Sequence, residues 1–252
     1  MPSIFITGGA GAIGLATARR FLADGWRVGI GDLAGALAAA PEGAETFAHD
    51  VTDPAAWGDV LARFCGGEDG ALDVLVNNAG ILSFGWFEDQ AAAGHAAQVD
   101  VNVKGVVLGA SIGLPFLRRA ERGCLVNIAS QASLQAAPRL ATYSATKYAV
   151  RGLSEALALE WMRMGVRVAC LEPCLIDTPM LDSDDASGLS FRAAVAGATV
   201  LSADDVADAV WTAVHGTDLH YPVGAAPTAL LETIAPQLER QRQAWTERAA
   251  RS

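Results

Sequence analysis

The sequence predicts an α/β domain doubly wound around a mostly parallel sheet, and three observations carry that prediction. Short apolar runs alternate with segments whose apolar residues recur at helical spacing, along almost the whole chain. Residues 72–76 and 124–129 are apolar almost without interruption, the pattern of strands buried on both faces of a parallel sheet. Glycine or polar residues follow the apolar runs at Gly8, Asp32, Asp50, Asn77, Ser130 and Thr178, and ligands in open α/β sheets bind outside the carboxyl ends of the strands.

Residues 4–7 read as a first strand that stops at Gly8-Gly9-Ala10-Gly11-Ala12-Ile13-Gly14, with a helix over residues 15–23. Strand, glycine turn and helix in that order are what a dinucleotide-binding loop requires. Glycine permits the turn and lets backbone amides approach a pyrophosphate at the positive helix N-terminus. Residues 27–31 form a second strand ending at Asp32, eighteen residues after Gly14. A carboxylate there accepts hydrogen bonds from adenosine ribose hydroxyls and repels a 2′-phosphate. Leu33 follows it and Gly11 stands in mid-loop, so no cation is evident for NADP and NAD is the expected cofactor. Asp32 could also serve as a plain helix N-cap; the glycine loop before it favours the ribose role.

Residues 45–49 give a third strand ending at Asp50-Val51, and Asp53 opens a helix with Pro54 in its first turn. The fourth strand, residues 72–76, ends in Asn77-Asn78-Ala79-Gly80, where asparagine side chains can hold neighbouring loops. A long apolar helix over residues 101–119 carries Asn102 near its start; spacing alone reads that residue as a satisfied core asparagine. The fifth strand runs to Ala129 and Ser130, and the sixth, 166–171, leads into Glu172-Pro173-Cys174-Leu175-Ile176-Asp177-Thr178-Pro179. Residues 181–200 are loop-like, Ser202 and Asp205 form a capping box for a helix through Val214, and residues 219–223 make a last strand. The tail from Ala229 onward is helical and amphipathic in pattern. With neither repeats nor a linker, residues 1–252 are expected to form one domain, within which residues 181–215 serve as a substrate-binding loop and helix.

Between the fifth and sixth strands lie Tyr143 and Lys147, four residues apart and so on one face of a helix. A phenol ionises near ~10 and needs a fixed cation to trade protons near neutrality; Lys147 is expected to supply it, by lowering the phenol about three units, or roughly 4 kcal/mol. Tyr-x-x-x-Lys by itself is an ordinary amphipathic turn. What singles it out is its place directly after a strand end that carries Ser130, in a chain whose other strand ends carry the glycine loop and Asp32.

Composition narrows the partners. Apolar residues make up 52% of the 252, and the formal charge is −10 with no Lys/Arg cluster, so nucleic acid is excluded as a partner. Cys65, Cys124, Cys170 and Cys174 show no Cys-x-x-Cys spacing and the four histidines no metal-ligand pattern, so no metal and no disulfide framework are expected. The chain enters its first strand without room for a signal peptide, and its apolar runs break well short of ~20 residues. A cytoplasmic protein without a membrane span is the expectation.

Thr7-Gly8 through Gly14, Asp50-Val51, Asn77-Asn78-Ala79-Gly80, Asn102, Ser130, Tyr143-Ser144-Ala145-Thr146-Lys147 and Pro173 through Thr178, in this order and spacing, resemble the short-chain dehydrogenase/reductase family over almost the whole chain. Ser130 stands thirteen residues before Tyr143, as the family's pattern has it. The resemblance implies a Rossmann-type sheet of seven strands in the order 3-2-1-4-5-6-7. It implies Tyr143 as catalytic acid/base, Lys147 lowering its pKa and holding the nicotinamide ribose, Ser130 bonding the substrate oxygen, and Asn102 anchoring a water relay through Lys147. For the cofactor it implies Gly8, Gly11, Ala12, Ile13 and Gly14 at the phosphates, Asp32 and Leu33 at the ribose, and Asp50 and Val51 at adenine. Asn78, Ala79 and Gly80 would line the cleft, and Pro173, Ile176 and Thr178 would lie at the nicotinamide. Homodimers or homotetramers built on the helices at residues 103–119 and 143–164 are the family's habit.

Two positions depart from the family's pattern. Ala12 replaces a glycine in the loop, and Cys174 replaces the glycine after Pro173, bringing a side chain to the nicotinamide edge. Expected chemistry is hydride transfer between NAD(H) and the carbinol or carbonyl carbon of a small secondary alcohol or ketone. Ser130, Gln131, Tyr143 and Cys174 are the expected substrate contacts, with Ser83, Ser133, Gln135 and residues 181–200 as further pocket candidates. Phe84, Trp86, Leu181 and Phe191 point to an apolar or aromatic substrate, while Arg139 and Arg192 keep an acidic one open. The alternatives are halide elimination of the halohydrin dehalogenase kind, against which Lys147 and Asp32 stand, and a catalytically idle dinucleotide sensor.

Overall fold

Alternating apolar side chains set the architecture. In β1 (Ser3–Thr7) the side chains of Ile4 and Ile6 enter one core while Phe5 enters another, because successive strand residues face opposite ways. A strand buried on both faces needs helices on both, and the chain supplies them. The computed structural model describes residues 1–233 and 236. Among these, β1, β2 (Arg27–Asp32), β3 (Glu45–Ala48), β4 (Val74–Asn77), β5 (Cys124–Ile128), β6 (Arg167–Pro173) and β7 (His220–Val223) form one sheet in the order β3-β2-β1-β4-β5-β6-β7. Every pairing is parallel. The chain winds outward from β1 to β3, returns to β4 and winds the other way, so strand order reverses between β1 and β4, where a crevice opens at the strand carboxyl ends.

On one face α1 (Ala12–Ala23) and α7 (Ala203–His215) cover Ile4, Ile6, Phe21, Ile30 and Val126. On the other, α2 (Pro54–Cys65), α4 (Gly105–Leu117) and α5 (Ala141–Trp161) cover Phe5, Trp57, Phe64, Leu75 and Leu125. Local signals start these helices where the sequence places them. Asp53 accepts from the Ala55 amide at 2.9 Å, and Ser202 and Asp205 cap one another's backbone.

Helix α4 lies unusually close to the sheet. A Cβ on Gly109 would stand 2.3 Å from Asn77 Oδ1 and 2.8 Å from the Trp57 ring, so the absence of a side chain lets the helix backbone rest on the end of β4. The continuous helical stretch from Ala92 to Leu117 is long and apolar enough by length and composition to cross a membrane; here its glycine face is packed on β4 and α2.

Some elements differ from the sequence reading. The helix expected from residue 101 is preceded by α3 (Ala92–Val99) and a π-turn, Asp100–Lys104. Only Gln98 of α3 is buried, so its alanine-rich sequence shows no apolar periodicity. Leu72 precedes β4 rather than opening it; its amide bonds the Phe116 carbonyl at 3.1 Å. The 181–200 stretch holds the end of a 3-10 turn, Pro179–Asp182, and a single helical turn, α6 (Phe191–Ala194), both too short to show a period. The helical tail is described over residues 225–233; the rest of that expectation lies outside the described residues.

Gly109→Ala is expected to push α4 off β4 and destabilise the fold by about 1–3 kcal/mol, the usual range for overpacking. Thermal unfolding checks this: a drop of several degrees is expected, and an unchanged Tm would contradict the close-approach account.

Candidate active site

The loop after β1 owes its shape to Gly8 and Gly14. Gly8 has φ +59, and a Cβ there would meet the Ala79 backbone at 2.7 Å; one on Gly14 would stand 2.5 Å from the Gly8 carbonyl oxygen. Gly14 therefore works by letting α1 sit against the loop, and it does not line the cleft. Gly11 is the N-cap of α1 and offers no side-chain cap, which leaves first-turn amides for an anionic ligand. Ala12 is already helical as the first residue of α1, so its methyl group needs no left-handed backbone.

The strand ends hold one another. Thr7 Oγ1 accepts from the amides of Asn78 and Ala79 at 3.1 and 3.2 Å, and Asn78 Nδ2 donates to the carbonyls of Thr7 and Gly8 at 2.9 Å each. Asp32 braces the loop from the other side, accepting from the Ala10 amide at 3.0 Å and its neighbour Leu33 at 2.8 Å. Thr52 donates to Asp50 from both its amide and hydroxyl, which holds that carboxyl below its ordinary range.

Along these strand ends runs a cleft of about 1380 Å³, larger than the roughly 300–1,000 Å³ of a site for one drug-sized ligand. Gly8, Gly11, Ala12, Ile13, Asp32, Leu33, Asp50, Val51, Asn78, Ala79, Gly80, Ser130, Gln131, Tyr143, Lys147, Pro173, Cys174, Ile176 and Thr178 all line it. Of the expected catalytic and cofactor residues, Gly14 and Asn102 stand behind its wall, and of the further pocket candidates Ser83 and Ser133 do not line it either. Lys147 is the sole Lys or Arg among the described lining residues.

At the centre, α5 presents Tyr143 and Lys147. Ser130 acts on the phenol as a hydrogen-bonding neighbour that draws its pKa down, and its Oγ makes a second contact, accepting from the Ala132 amide at 3.1 Å. That second bond occupies an oxygen lone pair and leaves the hydroxyl proton to donate. Lys147, only 5% exposed, donates from Nζ to the carbonyl of Ile128 at 2.8 Å, with Nζ 5.6 Å from the Tyr143 ring centroid. Asn102, fully buried in the π-turn, accepts from the Ile81 amide at 2.8 Å and donates to the Ile81 carbonyl at 2.8 Å and to Thr146 Oγ1 at 3.1 Å. It thereby ties the segment after β4 to the turn of α5 between Tyr143 and Lys147.

Sequence reasoning missed several supporting groups. Asn127, a polar interruption in the fifth apolar run, accepts from Asn77 and donates to Ser154, each at 2.9 Å. No metal-ligand spacing exists in the sequence, yet the fold gathers Cys170, Glu172 and His220 with ligand atoms within 4.8 Å; Glu172 Oε1 and His220 Nδ1 already bond at 2.7 Å. Phe84 and Trp86, expected as pocket residues, do not line the cleft. Phe84 stacks on Phe191 at 5.0 Å, and Trp86 faces solvent under Arg139.

The family model for short chain dehydrogenase matches residues 2–187. This chain belongs to the short-chain dehydrogenase/reductase family. It is 40% identical over 185 residues to a 3-alpha-(or 20-beta)-hydroxysteroid dehydrogenase of Mycobacterium tuberculosis, covering 70% of each chain. It is 36% identical over 242 residues to the 2-(R)-hydroxypropyl-CoM dehydrogenase of Xanthobacter autotrophicus, covering 88% of this chain and 94% of the relative. A crystal structure of a short-chain dehydrogenase/reductase from Burkholderia phymatum in complex with NAD superposes with a TM-score of 0.82 at 26% identity, over 96% of this chain and 95% of that one.

In this short-chain dehydrogenase/reductase, burial opposes charge on both central groups. It pushes the Tyr143 phenol up to about 12, against the pull of the Ser130 hydrogen bond, and lowers Lys147 to about 8. The sequence reading expects the ammonium to lower the phenol. In this cleft desolvation outweighs it, because Nζ bonds the Ile128 carbonyl rather than the phenol oxygen.

His49 shows the same effect just past the end of β3. It is 4% exposed, packs edge-on against Trp57 at 4.4 Å and has no hydrogen-bond partner on either ring nitrogen. Burial lowers its pKa from 6.5 to about 4, against the pull of Asp50, Asp53 and Asp32. From pH 6.5 down to about 4 the unfolded chain takes up a proton that the folded one refuses, so stability falls on acidification through that window. His49→Phe is expected to flatten this limb in urea melts; an identical slope in variant and parent would contradict the assignment.

Proposed function

We propose that this chain is an NAD-dependent oxidoreductase that moves hydride between the cofactor and the carbinol or carbonyl carbon of a small, apolar or aromatic secondary alcohol or ketone. One observation carries the reading: Ser130, Tyr143 and Lys147 meet in the cleft that also holds the glycine loop and Asp32. A dinucleotide fits these residues. Uncapped amides at α1 suit its pyrophosphate, and Asp32 suits the ribose hydroxyls. NAD over NADP is supported by Asp32 at that position and by the absence of any lining cation but Lys147 among the described residues. The relative from Burkholderia phymatum, which binds NAD, agrees with a nicotinamide dinucleotide.

When bound, the nicotinamide supplies or accepts the hydride. In reduction, Tyr143 donates its phenolic proton to the substrate oxygen as negative charge develops there, and Ser130 donates a hydrogen bond to the same atom. A phenol held near 12 is already protonated at neutral pH, which suits this direction. In oxidation Tyr143 must first lose that proton, so alkaline conditions favour it. Lys147, held by the Ile128 carbonyl with its Nζ 5.6 Å from the Tyr143 ring centroid, is read from the resemblance as holding the nicotinamide ribose, and Asn102 sets the turn of α5 that carries both groups, alongside the relay role that the resemblance implies.

An uncharged substrate is favoured because Arg139 and Arg192, the two cations the sequence offers for an acidic substrate, do not line the cleft and are committed elsewhere. Arg139 pairs with Asp185 at 2.7 Å, and Arg192 with Asp177 at 2.8 Å and Asp182 at 2.7 Å. The lining at the substrate end is Leu82, Leu140, Leu175, Leu181, Phe191 and Val195, and the hydroxysteroid relative acts, by its name, on a hydroxysteroid. Residues 181–215 supply part of this wall. The protein is read as a cytoplasmic homodimer or homotetramer: its four cysteines are free, and Val107 of α4 and Tyr148 of α5 remain exposed at 43% and 42%.

Tyr143→Phe is expected to lower turnover by about 10²–10⁴-fold or more, the range for losing a positioned acid/base, while NADH affinity measured by fluorescence stays near that of the parent. Full activity in the variant would sink the catalytic assignment.

A further inference from the structure

Arg139 stands in a conformation that only glycine adopts without strain. Its φ of 65 makes it the one non-glycine residue with positive φ among the described residues, and such strain persists only where the surroundings over-determine it. Two segments, residues 84–86 and Asp185 with its loop, converge on it. The Arg139 carbonyl accepts from the Gly85 amide at 3.0 Å, and its guanidinium lies 4.7 Å from the Trp86 ring centroid and 5.7 Å from that of Phe84. Nη1 donates to Asp185 Oδ2 at 2.7 Å.

Asp185 in turn shapes the segment it belongs to. Its side chain is 4% exposed, and Oδ1 accepts from the Ser187 amide at 2.9 Å, the Ser187 hydroxyl at 2.6 Å and the Leu189 amide at 3.0 Å. One carboxylate therefore folds residues 185–189 with one oxygen and holds Arg139 with the other. The same segment continues into Phe191, which stacks on Phe84 and lines the cleft. On the other side of Arg139, Leu140 follows directly and lines the cleft, and Tyr143 comes one helical turn later.

We propose that Arg139 is a positioning residue that clamps residues 183–191 over the substrate end of the cleft, through Asp185, and so builds the apolar wall against which the substrate is held. Neither residue lines the cleft, so the clamp acts through Leu140 and Phe191. Its cation is spent on the clamp, which keeps positive charge away from the substrate and makes the site selective for uncharged molecules. Only the kinetic readout of this inference rests on the redox reading above.

The test uses Arg139→Gly, which relieves the backbone strain and removes the cation, and Asp185→Asn, which keeps shape but loses the charge. Both are expected to raise KM for an apolar ketone about tenfold or more, with kcat and the NADH dissociation constant changed less than about threefold, and Arg139→Lys to recover part of the KM. Arg192 lies exposed next to Phe191, so tryptic cleavage after it, followed by mass spectrometry, is expected to be faster in both variants. Unchanged KM together with unchanged cleavage at Arg192 would overturn the clamp. A parent protein that turns over no ketone would sink the redox reading instead, leaving the cleavage rates to decide the clamp alone. Faster cleavage then supports it and equal cleavage overturns it.

Discussion

The site depends on a lysine held out of water. Lys147 is almost fully buried, and a buried ammonium survives only where a fixed acceptor replaces its hydration. That acceptor is the carbonyl of Ile128, the last residue of β5, so the strand end itself sets where α5 must lie. Asn102 bonds Thr146 on the same turn of α5, and Asn127 bonds Ser154 two turns on. With α5 pinned on two of its turns, at Thr146, Lys147 and Ser154, Tyr143 is fixed beside Ser130, and in the proposed reading the Ser130 hydroxyl proton and the phenol are the groups that reach a substrate oxygen. Preorganised donors of this kind cost no reorganisation at the moment of reaction.

The low polarity that makes such a site effective also determines its resting charge. Tyr143 and Lys147 are each driven toward neutrality, to about 12 and about 8, because desolvation acts on both and no direct bond joins them. The phenol thus rests as a proton donor. Around it the strand-end loops brace one another through Thr7, Asn78 and Asp32 rather than through packing, which leaves their remaining polar groups facing the cleft.

Much of this was legible in the sequence. Strand ends could be placed because continuous apolar runs stop at glycine or polar residues, and the motif residues then fell where a parallel sheet gathers strand ends. The order of the sheet came from the family resemblance and matches the structure. What escaped notice depends on partners far apart in the chain. Asn102 reads both as a satisfied core asparagine and, through the resemblance, as a relay residue, but its partners Ile81 and Thr146, 21 and 44 positions away, could not be named. His49 gave no signal, since its unpartnered burial against Trp57 of α2 and Phe5 of β1 arises only when those elements pack together. Arg139 read as a possible substrate cation, and only its pairing with Asp185, 46 positions on, shows that charge to be committed. Helix α3 was invisible because a helix that buries a single residue has no apolar period to read.

The most direct measurement is the change in absorbance at 340 nm when the protein is mixed with apolar secondary alcohols and either NAD or NADP. The account predicts rising absorbance with NAD, a markedly weaker response with NADP, and better turnover for uncharged than for acidic alcohols. Firm NADH binding with no turnover of any alcohol or ketone, in either direction, would contradict it.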